Sequence, residues 1–194
     1  MTAPRQAIVV PDSIFVSVQA LIVEDSAPIR DLLAGHFAKL GMVVTTAPDG
    51  TAAIQILERY RGKFDLIITD LCMPGADGFA VLMEAKRSNP GCAVVICTGY
   101  ATLESAIQAV RVGAYDYLPK PFKPSEIREL LDRMAADRAW RGYRPQRRGA
   151  EIAVERPLGV EPDADRTGAD LADRVEQLES RVRALEHDGI PTRI

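Results

Sequence analysis

Cysteine is scarce in this chain: three of 194 residues, with no CxxC pair among Cys72, Cys92 and Cys97. An odd number argues against a disulfide framework and fits a reducing, cytoplasmic setting, with all three read as buried apolar residues. Histidine occurs only as His36 and His187. Neither has partners at metal-ligand spacing, and neither is read as a phosphodonor. Excess charge is also missing: the net value is −3, which gives no global reason to expect nucleic-acid binding. No apolar run approaches the roughly 18 residues needed to span a bilayer. The N-terminal patches are broken by Pro11, Asp12 and Ser13, with Arg5 as the only basic flank, so no cleavable signal pattern is present. No Walker loop or GxGxxG follows the first apolar run, which leaves nucleotide binding unsupported.

What the chain does have is apolar sequence in short runs, 47% of it by a broad count. Four runs stand out: Ala20–Val23, Phe64–Thr69, Ala93–Cys97 and Tyr115–Pro119, with a further strand expected over Met42–Ala47. Continuous runs of this length read as strands buried on both faces. Helical spacing separates them. Ile29, Leu32, Leu33, Phe37 and Leu40 mark the first helix, Ala53, Ile56, Leu57 and Tyr60 the second, and Phe79, Leu82 and Met83 the third. Leu103, Ala106, Ile107 and Val110 mark the fourth, and Ile127, Leu130, Leu131 and Met134 the fifth. Five βα units in succession predict an α/β fold, a doubly wound five-stranded parallel sheet over residues 18–138.

Residues 1–17 form an extension to which the sequence assigns no function. Residues 139–169 are rich in Arg, Pro, Gly and Asp and read as a flexible linker. Over 170–188, Leu171, Val175, Leu178, Val182 and Leu185 recur at 4-3-4-3 spacing. Val at a and Leu at d favour a parallel two-stranded coil, and Arg174 and Arg181 at g face Glu179 and Glu186 at e. The expectation is a short coiled coil that makes a homodimer. The alternative is an amphipathic helix docked on the sheet domain.

The chemistry gathers where the runs end. Glu24 and Asp25, Asp70, Thr98 and Lys120 each follow an apolar run, and parallel sheets bind ligands outside the carboxyl ends of their strands. Taken singly, each residue is explained by capping or turn chemistry. Together they make a phosphoryl-transfer site. Glu24, Asp25 and Asp70 offer the hard oxygens that Mg²⁺ requires. An Asp carboxylate attacks phosphorus once a metal and a cation neutralise the phosphoryl oxygens; Lys120 supplies that cation, and Thr98 a hydroxyl for a phosphoryl oxygen.

These segments resemble the receiver domain of bacterial two-component response regulators. The resemblance is carried by LIVEDS at 21–26, LIITDLCMPGADG at 66–78, VVICTGYA at 94–101 and GAYDYLPKPF at 113–122. It implies that Asp70 is the phosphoacceptor, charged by a sensor histidine kinase or phosphotransfer protein. Glu24 and Asp25 would organise Mg²⁺ with Asp70 and the backbone carbonyl of Cys72. Thr98 and Tyr117 would be switch residues, Lys120 the phosphate contact, and Lys120–Pro121 a cis peptide. The switched surface would be the face of the fourth helix, fifth strand and fifth helix. Cys72 and Tyr100 match the variable positions beside the path of attacking water, where Tyr100 would lengthen the phosphoryl lifetime. The stretch 98–122 is closest to nitrogen-regulatory-type receivers, which usually precede an ATPase or helix-turn-helix domain; the sequence after residue 140 has the pattern of neither.

Two other functions compete. A DNA-contacting transcriptional regulator would use Arg133, Arg138, Arg141, Arg144, Arg147 and Arg148, though no helix-turn-helix pattern accompanies them. An Asp-nucleophile phosphatase needs a second carboxylate two residues after the nucleophile, where this chain has Cys72. The chain therefore reads as a phosphate holder and not as an enzyme.

Overall fold

The computed structural model describes Phe15, residues 17–136, Glu176 and Ser180. Five strands alternate with five helices: β1 (Gln19–Val23), α1 (Ala27–Lys39), β2 (Val43–Ala47), α2 (Gly50–Arg59), β3 (Leu66–Asp70), α3 (Gly78–Ser88), β4 (Ala93–Thr98), α4 (Leu103–Val112), β5 (Asp116–Pro119) and α5 (Pro124–Ala136). All strand pairs are parallel, in the order β2-β1-β3-β4-β5. This is the doubly wound sheet expected from the runs.

The continuous apolar character of the central strands follows from burial on both faces. Leu21, Val23, Ile67, Val94, Ile96 and Tyr117 pack with residues of α2, α3 and α4. Their neighbours Ala20, Ile22, Leu66, Ile68, Val95, Cys97 and Leu118 pack on the opposite face with α1 and α5. Phe15 and Val18 are buried in that second layer, so contacts with the core begin upstream of residue 18. The edge strand β2 is more open, with Val43 exposed.

Three apolar side chains expected to face the core do not. A helix turns about 100° per residue, so Ile29, Leu33, Phe37 and Leu40 make one stripe and Leu32 falls outside it. Leu32 is 72% exposed. Met83 is 56% exposed for the same reason, since Val81, Leu82 and Ala85 already fill the buried side of α3. Tyr60 caps the end of α2 and lies half-exposed under the Lys63 ammonium, 4.9 Å from its ring centroid.

Local chemistry sets the turns that deliver the site. Asp49 and Asp77 cap α2 and α3 by accepting from the backbone N–H groups of Ala52 and Ala80, at 2.7 and 2.8 Å. The loop after β3 closes on itself, with Gly78 N–H donating to the Leu71 carbonyl at 3.0 Å. A Cβ at Gly78 would lie 2.4 Å from the Asp70 carbonyl oxygen, so only glycine lets α3 start so close to the strand end. The expected seam Leu171, Val175, Leu178, Val182 and Leu185 and the linker 139–169 lie outside the described residues; Glu176 and Ser180 are helical and exposed. No helix among the described residues is long and apolar enough to cross a membrane.

Candidate functional site

The parallel strands carry Glu24, Asp25, Asp70, Thr98 and Lys120 to one edge of the sheet, as their places in the sequence require. Glu24 N–H donates to the Ala47 carbonyl at 3.2 Å, which holds the acidic pair just past β1. Glu24 is 2% exposed, whereas Asp25 faces solvent. One carboxylate oxygen from each of Glu24, Asp25 and Asp70 lies within 4.8 Å of the other two.

Lys120 reaches into this group. Its Nζ lies 2.6 Å from Asp70 Oδ2 and 2.6 Å from Glu24 Oε2. Burial works to lower the pKa of the ammonium, but hydrogen bonds and charge from Asp70 and Glu24 outweigh it and hold the group above lysine's ordinary value. The Lys120 N–H donates to the Thr98 carbonyl at 2.7 Å, and the Lys120–Pro121 peptide is cis. The second Asp70 oxygen, Oδ1, accepts from Cys72 N–H at 3.1 Å. Both Asp70 oxygens are thus oriented by groups from different elements.

Thr98 is buried at the end of β4, and its Oγ1 accepts from Tyr100 N–H at 3.1 Å. Tyr100 itself is 71% exposed. The Tyr117 ring lies inside the layer beneath α4, fully buried, with its hydroxyl 2.7 Å from Ser105 Oγ. Burial raises the phenol pKa, and its hydrogen bonding with Ser105 and the Thr102 backbone offsets part of that rise.

Cys72 is the correction among the cysteines. It is exposed where burial was expected, in the loop beyond β3. Cys92 and Cys97 are buried as expected; desolvation pushes the Cys92 thiol up to about 12 and Cys97 higher still. Three contributors escape a linear reading. Arg30, in the first turn of α1, donates to the Glu24 and Asp25 carbonyls at 2.7 and 3.3 Å and fixes the acidic turn. Arg133 of α5 pairs with Asp116, whose other oxygen accepts from Tyr117 N–H at 2.7 Å. Ser105 is the third, and its only sequence signal is its place three residues after the capping Thr102.

One family model, the response regulator receiver domain, matches residues 20–132. The chain belongs to that family. Among curated proteins, the receiver is 37% identical over 113 residues to the DNA-binding transcriptional regulator NtrC of Escherichia coli, covering 58% of this chain and 24% of the relative. It is 34% identical over 171 residues to the response regulator protein FleR of Pseudomonas aeruginosa, covering 88% and 33%. The chain thus spans only about a quarter to a third of the length of these relatives. Among solved structures it resembles a response regulator receiver domain from Clostridium thermocellum, at 30% identity and a TM-score of 0.56, covering 60% of this chain and 92% of that one. The receiver domain of NtrX from Brucella abortus gives 34% identity and a TM-score of 0.53, covering 59% and 95%.

Receiver domains take phosphoryl groups from histidine kinases and generally bind Mg²⁺. The donors here suit that ion: three carboxylates, all hard oxygen, converge beside one ammonium.

Proposed function

We propose that Asp70 accepts a phosphoryl group from a phosphohistidine of a sensor kinase or phosphotransfer protein, and that the receiver holds it as a signal. The observation that carries this is the Lys120 ammonium at 2.6 Å from both Asp70 and Glu24, beside the exposed Asp25. An Asp70 oxygen attacks phosphorus, the P–N bond breaks, and its electron pair returns to the imidazole nitrogen. Lys120 then faces the negative phosphoryl oxygens that replace part of its carboxylate contact. Glu24, Asp25, Asp70 and the Cys72 carbonyl would hold Mg²⁺, which when bound would neutralise phosphoryl charge.

Thr98 turns its hydroxyl proton to a phosphoryl oxygen, and this favours the inward position that Tyr117 occupies in the structure. A shift of Tyr117 between inward and outward positions remodels the face of α4, β5 and α5. The protein is a phosphoacceptor and not a turnover enzyme, because Cys72 stands where a phosphatase of this kind needs its second acid. Self-association through Leu171, Val175, Leu178, Val182 and Leu185 follows from their seam composition. Exposing the protein to a phosphorylated imidazole donor with Mg²⁺ tests the reading: wild type takes up phosphoryl, and Asp70→Asn does not. Equal uptake by both would refute it.

A second reading has support from the names of the relatives. NtrC is a DNA-binding transcriptional regulator. If this protein shares that output, the arginines of 133–148 contact duplex DNA, with affinity falling steeply as salt rises. No mobility shift at low salt removes this alternative.

A further inference from the structure

Helix α4 opens with a reciprocal cap. Thr102 Oγ1 accepts from Ser105 N–H at 3.2 Å, and Ser105 Oγ accepts from Thr102 N–H at 3.2 Å. The same Ser105 oxygen lies 3.0 Å from the Thr102 carbonyl and 2.7 Å from the Tyr117 hydroxyl. A serine has one proton to give and two lone pairs. Thr102 Oγ1 also lies 3.1 Å from this oxygen; with Ser105 donating to the Thr102 carbonyl and accepting from Thr102 N–H and the Tyr117 hydroxyl, the exposed Thr102 hydroxyl turns its proton to solvent. The Tyr117 phenol thereby becomes part of the N-terminal cap of α4, across the gap between β5 and the helix.

This arrangement has an energetic consequence. The phenol is fully buried with Ser105 Oγ and the Thr102 backbone as its partners, and a buried hydroxyl that loses one of two partners keeps part of its desolvation cost. Removing the Ser105 hydroxyl therefore disfavours the inward position of Tyr117 specifically. An outward swing of Tyr117 would in turn take one partner from the first turn of α4.

We infer that Ser105 is a positioning residue of the switch, whose hydroxyl holds Tyr117 inward and couples it to the start of α4. The inference rests on reading Asp70 as the phosphoacceptor and the inward Tyr117 as the partner of the phosphoryl-bound site. By linkage, a less populated inward position lowers the affinity of Asp70 for a phosphoryl mimic by up to the same factor.

The test titrates beryllofluoride into the full chain at saturating Mg²⁺ by fluorine NMR, with melting curves recorded on every variant. Ser105→Ala weakens beryllofluoride affinity by up to about fivefold, the size of one net hydrogen bond. Ser105→Thr restores it, and Ser105→Ala combined with Tyr117→Phe binds no more weakly than Tyr117→Phe alone, since both changes remove one contact. A lower melting point with unchanged affinity, or effects that add in the double variant, would overturn the assignment and leave Ser105 as a helix cap. Ser105→Cys takes the place of Ser105→Ala if the latter does not fold. Wild type that takes up no beryllofluoride would overturn the phosphoacceptor reading, and this inference with it.

Discussion

Lys120 Nζ and Asp70 Oδ2 lie 2.6 Å apart, bringing together residues 50 positions distant in the chain. The ammonium is shared with Glu24, so it opposes two carboxylates where one would satisfy it. Lys120→Met leaves Glu24 and Asp70 facing each other without their counter-charge, and stability falls by about 2–4 kcal/mol. Because the folded pKa of Lys120 is raised, its stabilisation is fully present below lysine's ordinary 10.5 and is lost as pH rises through the folded value. Melting of wild type and Lys120→Met across alkaline pH should show a constant gap that narrows only above that value.

Asp25 is the exposed member of the acidic trio, and no ion pair to its carboxylate occurs among the described residues. Asp25→Asn relieves like-charge repulsion and raises metal-free stability by up to about 1 kcal/mol at low salt. The same change weakens Mg²⁺ binding by about tenfold or more. Melting curves with and without Mg²⁺ read both effects, which have opposite signs.

Tyr100 tests the lifetime of the phosphoryl group. It is 71% exposed, and its N–H is held by Thr98 at the site. Tyr100→Glu exchanges an aromatic for a carboxylate able to orient water, and dephosphorylation followed by loss of label is expected to quicken. An unchanged or slower rate contradicts a shielding role.

The three cysteines should separate by rate. Cys72 is exposed beside Asp70, whereas Cys92 and Cys97 are buried with thiols held protonated. Under native conditions maleimide is expected to label Cys72 alone, and the labelled protein to lose beryllofluoride binding. Labelling of Cys92 or Cys97 should wait for denaturant.

Oligomeric state reports on the heptads. Leu178→Asp places a charge at the centre of the seam and should turn a dimer into a monomer in light scattering of the full chain. Wild type that is already monomeric at every concentration would dispose of the coiled coil.

The sheet was legible because burial on both faces keeps the interiors of β1, β3 and β4 apolar but for Thr69, until the strand ends. Those ends are where Glu24, Asp70 and Thr98 stand, so site and strands were read from one signal. Helix faces were less legible: Leu32 and Met83 are apolar but lie off the buried stripe, and composition does not report angle. Cys72 is exposed against expectation, because composition does not report whether the side chain of a loop residue turns inward or to solvent. Arg30, Ser105 and the Asp116–Arg133 pair act across elements, through contacts that exist only once α1, α4 and α5 are docked.

The central claim is that Asp70 carries the phosphoryl group. Full-length protein treated with Mg²⁺ and a small acyl-phosphate donor, then trapped by borohydride and mapped by peptide mass spectrometry, measures it directly. Homoserine in place of Asp70 and at no other acid, prevented when hydroxylamine precedes the borohydride and absent from Asp70→Asn, is the predicted result. No reduced residue in wild type, or one that persists in Asp70→Asn, would contradict it.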